Sequence, residues 1–330
     1  MPKTAFIFPG QGSQYVGMGL DLYNTYPSAR KVFDHADEIL GFALSKLCFE
    51  GPDEELNLTI NAQPALLVAS FAAFTAACEA APEVLPKPSF IAGHSLGEYT
   101  ALTVAGSLGF DIAVSLARER GRLMYEAGLE KPGAMAAVIG MSREILAEIC
   151  KETGTFIANL NCPDQIVISG LKERVTKASK LAKERGAKLA VQLHVSGAFH
   201  SPLMRTAAKG LRKIMQKTQL METITNAPEK ESISDYIRKF AIFSPKIPVI
   251  GNTTARVLTT ALMVRDELLE QVCNCVQWDD TVRYLLSRGV DRFVEFGPGE
   301  VLAGLVQRIS DDVKTMSIGD CDAIETLKAR

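Results

Sequence analysis

Apolar positions fall into two rhythms along the chain. Residues 4–8 form a short, almost uninterrupted apolar run, the pattern of a buried strand, and Pro9-Gly10-Gln11-Gly12-Ser13-Gln14 follows as a glycine-rich loop. Helical spacing then takes over. Val32, Phe33, Ala36, Ile39 and Leu40 share one face over residues 28–40, and the Ala-rich stretch 64–80 predicts a buried helix opened by Pro64. Its least polar part, 65–78, falls short of the ~20 residues of a membrane span. A strand over 89–92, a tight turn over 93–97 and helices over 98–105 and 111–127 give the strand, turn, helix order of an α/β fold.

Between Gly133 and Gly197 the rhythm changes. Strand patterns at 134–139, 155–160, 165–169 and 188–194 alternate with helical ones at 142–151 and 172–185, in the order β-α-β-β-α-β of a ferredoxin-like unit. Lys131-Pro132-Gly133 and Ser196-Gly197 supply turn chemistry at its two ends. The chain is therefore expected to consist of a host, residues 1–132 and 198–330, interrupted by an insert of residues 133–197. Beyond the insert, an amphipathic helix over 203–220 carries Lys209, Arg212, Lys213 and Lys217 on its polar side. The polar stretch 221–239 reads as a surface excursion. Strands at 247–250 and 292–296 and helices at 263–274, 281–287 and 301–309 complete the host.

Composition narrows the function. With 330 residues, 47% hydrophobic and 22% charged, the chain is a folded protein of about two domains, or one large domain with an insertion. Its 36 basic and 38 acidic residues nearly balance and form no dense basic run, which argues against nucleic acid and anionic membranes as partners. Seven cysteines, an odd number without any CxxC, argue against a disulfide framework or a zinc ribbon. The apolar run after Met1-Pro2-Lys3 stops at Pro9-Gly10, too soon for a signal peptide, so a cytoplasmic location is expected.

Gly93-His94-Ser95-Leu96-Gly97 is a G-x-S-x-G turn with a strand before it and a helix after it, the context in which a serine becomes a nucleophile. Such a turn lifts the Ser95 hydroxyl to the end of the strand, where the N-terminus of the following helix favours developing negative charge. A serine needs a base. Of the four histidines, His200 is the candidate, since it sits in the loop Gly197-Ala198-Phe199-His200-Ser201-Pro202 between the insert and a new helix. His94 is expected to point away from Ser95 and to play a supporting part. His194 is expected to be a satisfied histidine at a strand end, and His35 a solvated one. Between Ser95 and His200 no aspartate stands out as a third triad member, since Asp111 opens a helix and Asp164 lies in the insert. A dinucleotide-binding reading of the first loop fails because Tyr15 stands where the third glycine is required.

Several of these segments together resemble one family. Phe8-Pro9-Gly10-Gln11-Gly12-Ser13-Gln14, Gly93-His94-Ser95-Leu96-Gly97-Glu98-Tyr99, Arg120-Gly121, Gly133-Ala134-Met135-Ala136-Ala137, Gln165-Ile166-Val167-Ile168-Ser169-Gly170, Gly197-Ala198-Phe199-His200-Ser201 and Phe296-Gly297-Pro298-Gly299 are similar to the malonyl-CoA:acyl-carrier-protein transacylases. Ile157-Ala158-Asn159-Leu160-Asn161 is similar to the version in discrete acyltransferases that serve polyketide synthases in trans. The resemblance implies an α/β-hydrolase-like large subdomain with an inserted ferredoxin-like (βαββαβ) small subdomain. Ser95 would carry the acyl group, His200 would act as base and then acid, and the backbone N–H groups of Gln11 and Leu96 would form the oxyanion hole.

Arg120 would clamp the malonyl carboxylate, and Met124 and Phe199 would line the acyl pocket. His94, Asn161 and Asn252 would complete the substrate side, with a main-chain carbonyl near Asn252 orienting the histidine in place of an aspartate. Arg118, Arg120 and Arg122 recur at every second helical position and cannot share one face, so one of them is expected to turn inward. The implied activity is transfer of malonyl from malonyl-CoA to an acyl carrier protein, for fatty acid or polyketide synthesis, by a monomer without metal or redox cofactor. The basic side of 203–220 could receive an acidic carrier or simply be solvated. The alternative activity, hydrolysis of acyl groups stalled on carrier proteins, would use the same Ser95 and His200.

Overall fold

The structure, a computed structural model, describes residues 3–221 and 241–329. Two sheets organise it. The larger has six strands in the order β10-β9-β1-β2-β7-β8. These are β1 (Lys3–Phe8), β2 (Pro88–Gly93), β7 (Val249–Ile250), β8 (Val257–Leu258), β9 (Val290–Phe296) and β10 (Lys314–Ile318). All neighbours run parallel except β8, which pairs antiparallel with β7. Strand periodicity sends alternate residues of β1 to opposite faces. Phe6 and Phe8 enter an aromatic cluster with Phe74 and Phe296, while Ala5 and Ile7 join Trp278, Val282 and Leu302 on the other side.

Helices cover both faces. They are α1 (Leu20–Thr25), α2 (Pro27–Leu40), α3 (Leu44–Glu50), α4 (Asp53–Leu56), α5 (Thr59–Ala80), α6 (Gly97–Val104) and α7 (Phe110–Glu130) before the small sheet. After it come α10 (Arg205–Met221), α11 (Ala261–Glu270), α12 (Trp278–Ser287), α13 (Val301–Ile309) and α14 (Cys321–Lys328). Helix α5 begins five residues before Pro64, which lies inside it and not at its start. Proline cannot donate to the carbonyl one turn earlier, and Arg118 Nη1 instead donates to that oxygen, Ile60 O, at 2.9 Å. The helix thus has 22 residues, long and apolar enough to cross a membrane, so the length argument does not hold; it is a core helix packed against α2 and α7.

The smaller sheet, in the order β4-β5-β3-β6, is antiparallel throughout. It consists of β3 (Gly133–Ile139), β4 (Phe156–Cys162), β5 (Gln165–Leu171) and β6 (Leu189–Gln192), with α8 (Arg143–Thr153) and α9 (Lys172–Glu184) packed on one face. This is the expected βαββαβ unit within an α/β host. Backbone bonds between Leu160 N and Val276 O and between Val276 N and Ala158 O, both 2.9 Å, join it to the host.

Two expectations are corrected. Strand β6 ends at Gln192, so His194 is not a strand-end histidine but lies exposed beyond it. His35 is exposed on α2 as expected, with Nε2 also 2.7 Å from Asp111 Oδ1. The helix expected over 263–274 stops at Glu270. Of the polar stretch 221–239, residue 221 still belongs to α10 and the remainder lies outside the described residues. Strands β8 and β10 and helices α1, α3, α4 and α14 were not anticipated by the periodicity.

Candidate active site

The carboxyl ends of β1 and β2 lie side by side, Phe8 opposite Gly93, and bring the 9–14 loop against the turn that carries Ser95. That turn has no room for side chains at its glycines. A Cβ on Gly93 would come within 2.0 Å of the Gly97 carbonyl, and one on Gly97 within 2.0 Å of Phe8 O. Ser95 itself takes the left-handed backbone conformation, φ 52°, unusual for a residue with a side chain. The strain is held by Asn252, whose Oδ1 accepts from Ser95 N at 2.7 Å while its Nδ2 donates to Gly93 O at 2.7 Å.

His200 also adopts a positive φ, 55°, and its ring is buried. Its Nδ1 donates to the main-chain carbonyl of Gln271 at 2.7 Å. A carbonyl can only accept, so Nδ1 carries the hydrogen and Nε2, 2.8 Å from Ser95 Oγ, is left bare to accept the serine proton. Burial, reinforced by the positive charge of Arg120, lowers the His200 pKa to about 3, against the Gln271 bond that favours the charged form. The imidazole is therefore neutral and poised as a base.

The carbonyl that orients His200 was expected near Asn252; Gln271 supplies it. Gln271 directly follows α11, where carbonyls lose their partners within the helix. Reading the helix through to residue 274 placed Gln271 in its interior and hid that carbonyl. Asn252 acts on the nucleophile turn and not on the base.

Of the three arginines, Arg120 points inward and is only 2% exposed, whereas Arg122 pairs at the surface with Glu119 and Glu126. Arg120 Nη1 donates to Gln63 Oε1 at 2.7 Å, and Nη2 to Gln271 Oε1 at 2.5 Å and to Ser95 Oγ at 3.1 Å. Its buried Nε has no hydrogen-bond partner, and no carboxylate is hydrogen-bonded to it among the described residues. Gln63 and Gln271 were missed by sequence reading because a glutamine on an otherwise apolar helix, or after one, carries no motif.

Glu98, fully buried at the start of α6, accepts from Gln271 Nε2 at 2.5 Å and from Asn252 N at 3.0 Å. Burial first, and the neighbouring carboxyl of Glu267 next, push its pKa well above the usual carboxylate range.

Ser95, His200, Arg120, Met124, Phe199, His94 and Gln11 all border one cavity of about 360 Å³, a size suited to a small acyl group and part of its carrier. Exposed His194 stands at the same cavity. His94 turns its Nε2 to Asn161 Oδ1 at 2.9 Å, and its ring meets Trp278 edge-on at 5.8 Å. Asn161 does not border the cavity and reaches it through His94; its neighbour Asn159 borders it instead. Gln11 Nε2 donates to Thr59 Oγ1 at 3.2 Å, and Leu96, buried, stands at the head of α6. A hydroxyl, a neutral imidazole and a guanidinium converging in a cavity can form and break an acyl ester whose acyl group bears a negative charge.

The chain matches the acyl transferase domain family over residues 5–322. It is 44% identical to the malonyl CoA-acyl carrier protein transacylase of Bacillus subtilis (strain 168), over 98% of this chain and 96% of the relative. Identity to the protein of the same name from Escherichia coli (strain K12) is 38%, over 98% of each chain. Among solved structures, an acyl carrier protein S-malonyltransferase from Vibrio cholerae superposes with a TM-score of 0.87 at 37% identity, covering 99% of this chain and 100% of the other. A malonyl-transacylase solved in complex with its type II PKS acyl-carrier protein gives 0.88 at 36% identity, with 99% of each chain covered. The chain belongs to the acyl transferase domain family and, within it, to the malonyl-CoA:acyl-carrier-protein transacylases.

Proposed function

We propose that this protein transfers malonyl from malonyl-CoA to the phosphopantetheine thiol of an acyl carrier protein in two steps through an ester on Ser95. In the first, His200 Nε2 takes the Ser95 proton as the oxygen attacks the thioester carbonyl, and the tetrahedral oxyanion is received by the N–H groups of Gln11 and Leu96. The intermediate collapses, the C–S bond breaks and the CoA thiolate leaves with the proton from His200. In the second, the carrier's thiol gives its proton to His200, attacks the ester and releases Ser95, which recovers that proton. No electrons are gained or lost.

Arg120 is the single observation that carries this reading. A buried guanidinium without a carboxylate partner is costly unless a ligand supplies one, and its planar donors suit the free carboxylate of malonyl. Its Nη2, 3.1 Å from Ser95 Oγ, is close enough to reach a carboxylate two carbons along from the ester. Met124 and Phe199 give the walls between. A hydrolase acting on neutral acyl chains would gain nothing from that charge.

The exposed Lys209, Arg212 and Lys213 offer an acidic carrier protein a basic face. The reading is tested by mixing the protein with malonyl-CoA and carrier protein: malonyl should pass to the carrier, whereas release of free malonate at a rate indifferent to the carrier favours hydrolysis.

A further inference from the structure

We infer that Glu98 is a positioning residue for malonyl recognition, acting through the side-chain amide of Gln271 on Arg120, a role that rests on the reading of Arg120 as the malonyl clamp. Glu98 borders neither the cavity nor the reacting atoms. It lies between two groups of fixed polarity. The Arg120 guanidinium can only donate, and so can the backbone N–H of Asn252.

From the first end, Arg120 Nη2 takes Gln271 Oε1 at 2.5 Å, which turns the amide's Nε2 toward Glu98 Oε2 at 2.5 Å and Ser95 O at 3.1 Å. From the other end, Asn252 N reaches Glu98 Oε1 at 3.0 Å. An amide side chain offers one acceptor and one donor, so it passes the polarity along without absorbing it. Donors arriving from both ends need one side chain that accepts on both oxygens. Glu98 does this in its ionised form, which these two N–H donors and the Arg120 charge favour against burial; an amide does not.

Glu98→Gln therefore breaks the relay, and the backbone decides where. The Asn252 N–H cannot turn over, so Gln at 98 keeps its oxygen there and sets its NH2 against the Gln271 amide. That amide then either meets this NH2 with its own or reverses, which takes its NH2 off Ser95 O and sets it against Arg120 Nη2, leaving the guanidinium the Gln63 acceptor but not the Gln271 one. The main-chain carbonyl of Gln271, which orients His200, is not moved by this reversal. Malonyl recognition is hit harder than base catalysis.

The test is the ratio of kcat/KM for malonyl-CoA to that for acetyl-CoA, measured in the wild-type protein, Glu98→Gln, Gln271→Met, Arg120→Ala and the Glu98→Gln/Arg120→Ala double variant. Loss of overall structure lowers both substrates together and does not move this ratio. Glu98→Gln should lower it about tenfold or more, the loss of one hydrogen bond to a charged group, and should lower it no further once Arg120 is gone. Gln271→Met keeps the carbonyl and removes the relay; it should lower the ratio likewise, and it carries the test if Glu98→Gln does not fold. If Arg120→Ala lowers the ratio while Glu98→Gln and Gln271→Met leave it unchanged, the relay is overturned and the clamp stands. An unchanged ratio in Arg120→Ala overturns the clamp and the relay with it.

Discussion

His200 Nδ1 lies 2.7 Å from the main-chain carbonyl oxygen of Gln271, so the base of the dyad is oriented by backbone and not by a carboxylate. A carbonyl dipole favours the imidazolium less than an aspartate would. Burial and the nearby charge of Arg120 therefore win, and the pKa falls to about 3. The free enzyme should keep its base unprotonated well below the ordinary histidine range, and kcat/KM for malonyl-CoA should show no inflection near pH 6.5 on its acid side. A limb falling at that pH would contradict the assigned environment. The linked stability has a definite sign: with the folded pKa below the unfolded one, the contribution of His200 is present above about pH 6.5 and lost as pH falls toward about 3.

Asn252 holds the Ser95 turn, accepting from Ser95 N and donating to Gly93 O, and does not border the cavity. Asn252→Ala leaves the Ser95 N–H without that partner, at a cost of about 1–3 kcal/mol, and lets the strained turn relax. Acylation by malonyl-CoA and by acetyl-CoA should fall in parallel, as measured by stopped-flow release of CoA. A change confined to malonyl-CoA would place Asn252 on the substrate instead.

Phe199 is buried beside the base and borders the cavity. If that corner meets the malonyl α-carbon and excludes a methyl branch there, Phe199→Ser should gain transfer of methylmalonyl relative to malonyl while losing about 3 kcal/mol of stability. Competition between the two CoA esters, read by mass spectrometry of the carrier protein, decides it. No gain in a folded variant removes Phe199 from that role.

Glu295 shows the opposite linkage to His200. It is enclosed at the end of β9, accepting from Leu302 N and Ala303 N at 3.1 and 2.7 Å at the head of α13. Burial outweighs those bonds and raises its pKa to about 7. A raised folded pKa means that its contribution is full below about pH 4.5 and lost as pH rises through about 7. Urea unfolding of Glu295→Gln should therefore show a smaller fall in stability from pH 5 to pH 8 than the wild-type protein; an identical slope would show that Glu295 does not titrate in that window.

Much of this was legible from residue patterns. The apolar run of β1, the glycine turn around Ser95 and the βαββαβ rhythm each follow from local pattern, which a single sequence carries directly. That one of Arg118, Arg120 and Arg122 turns inward followed from helical geometry, and the family resemblance picked Arg120. What stayed hidden depends on where separate segments meet. Pro64 looks like a helix start until Arg118 is seen to take the carbonyl it strands. Strand β8, two residues long, is too short to show a period. Gln63, Gln271 and Glu98 gain their roles only from one another and from Arg120 across long stretches of chain, and polar residues of that kind advertise nothing in their neighbours.

The central claim is that Ser95 holds malonyl and hands it to a thiol. Intact-mass spectrometry after brief mixing with malonyl-CoA tests it most directly: the account predicts one malonyl adduct on Ser95, absent from Ser95→Ala and discharged onto added carrier protein. Free malonate accumulating at the same rate with or without carrier protein would contradict it.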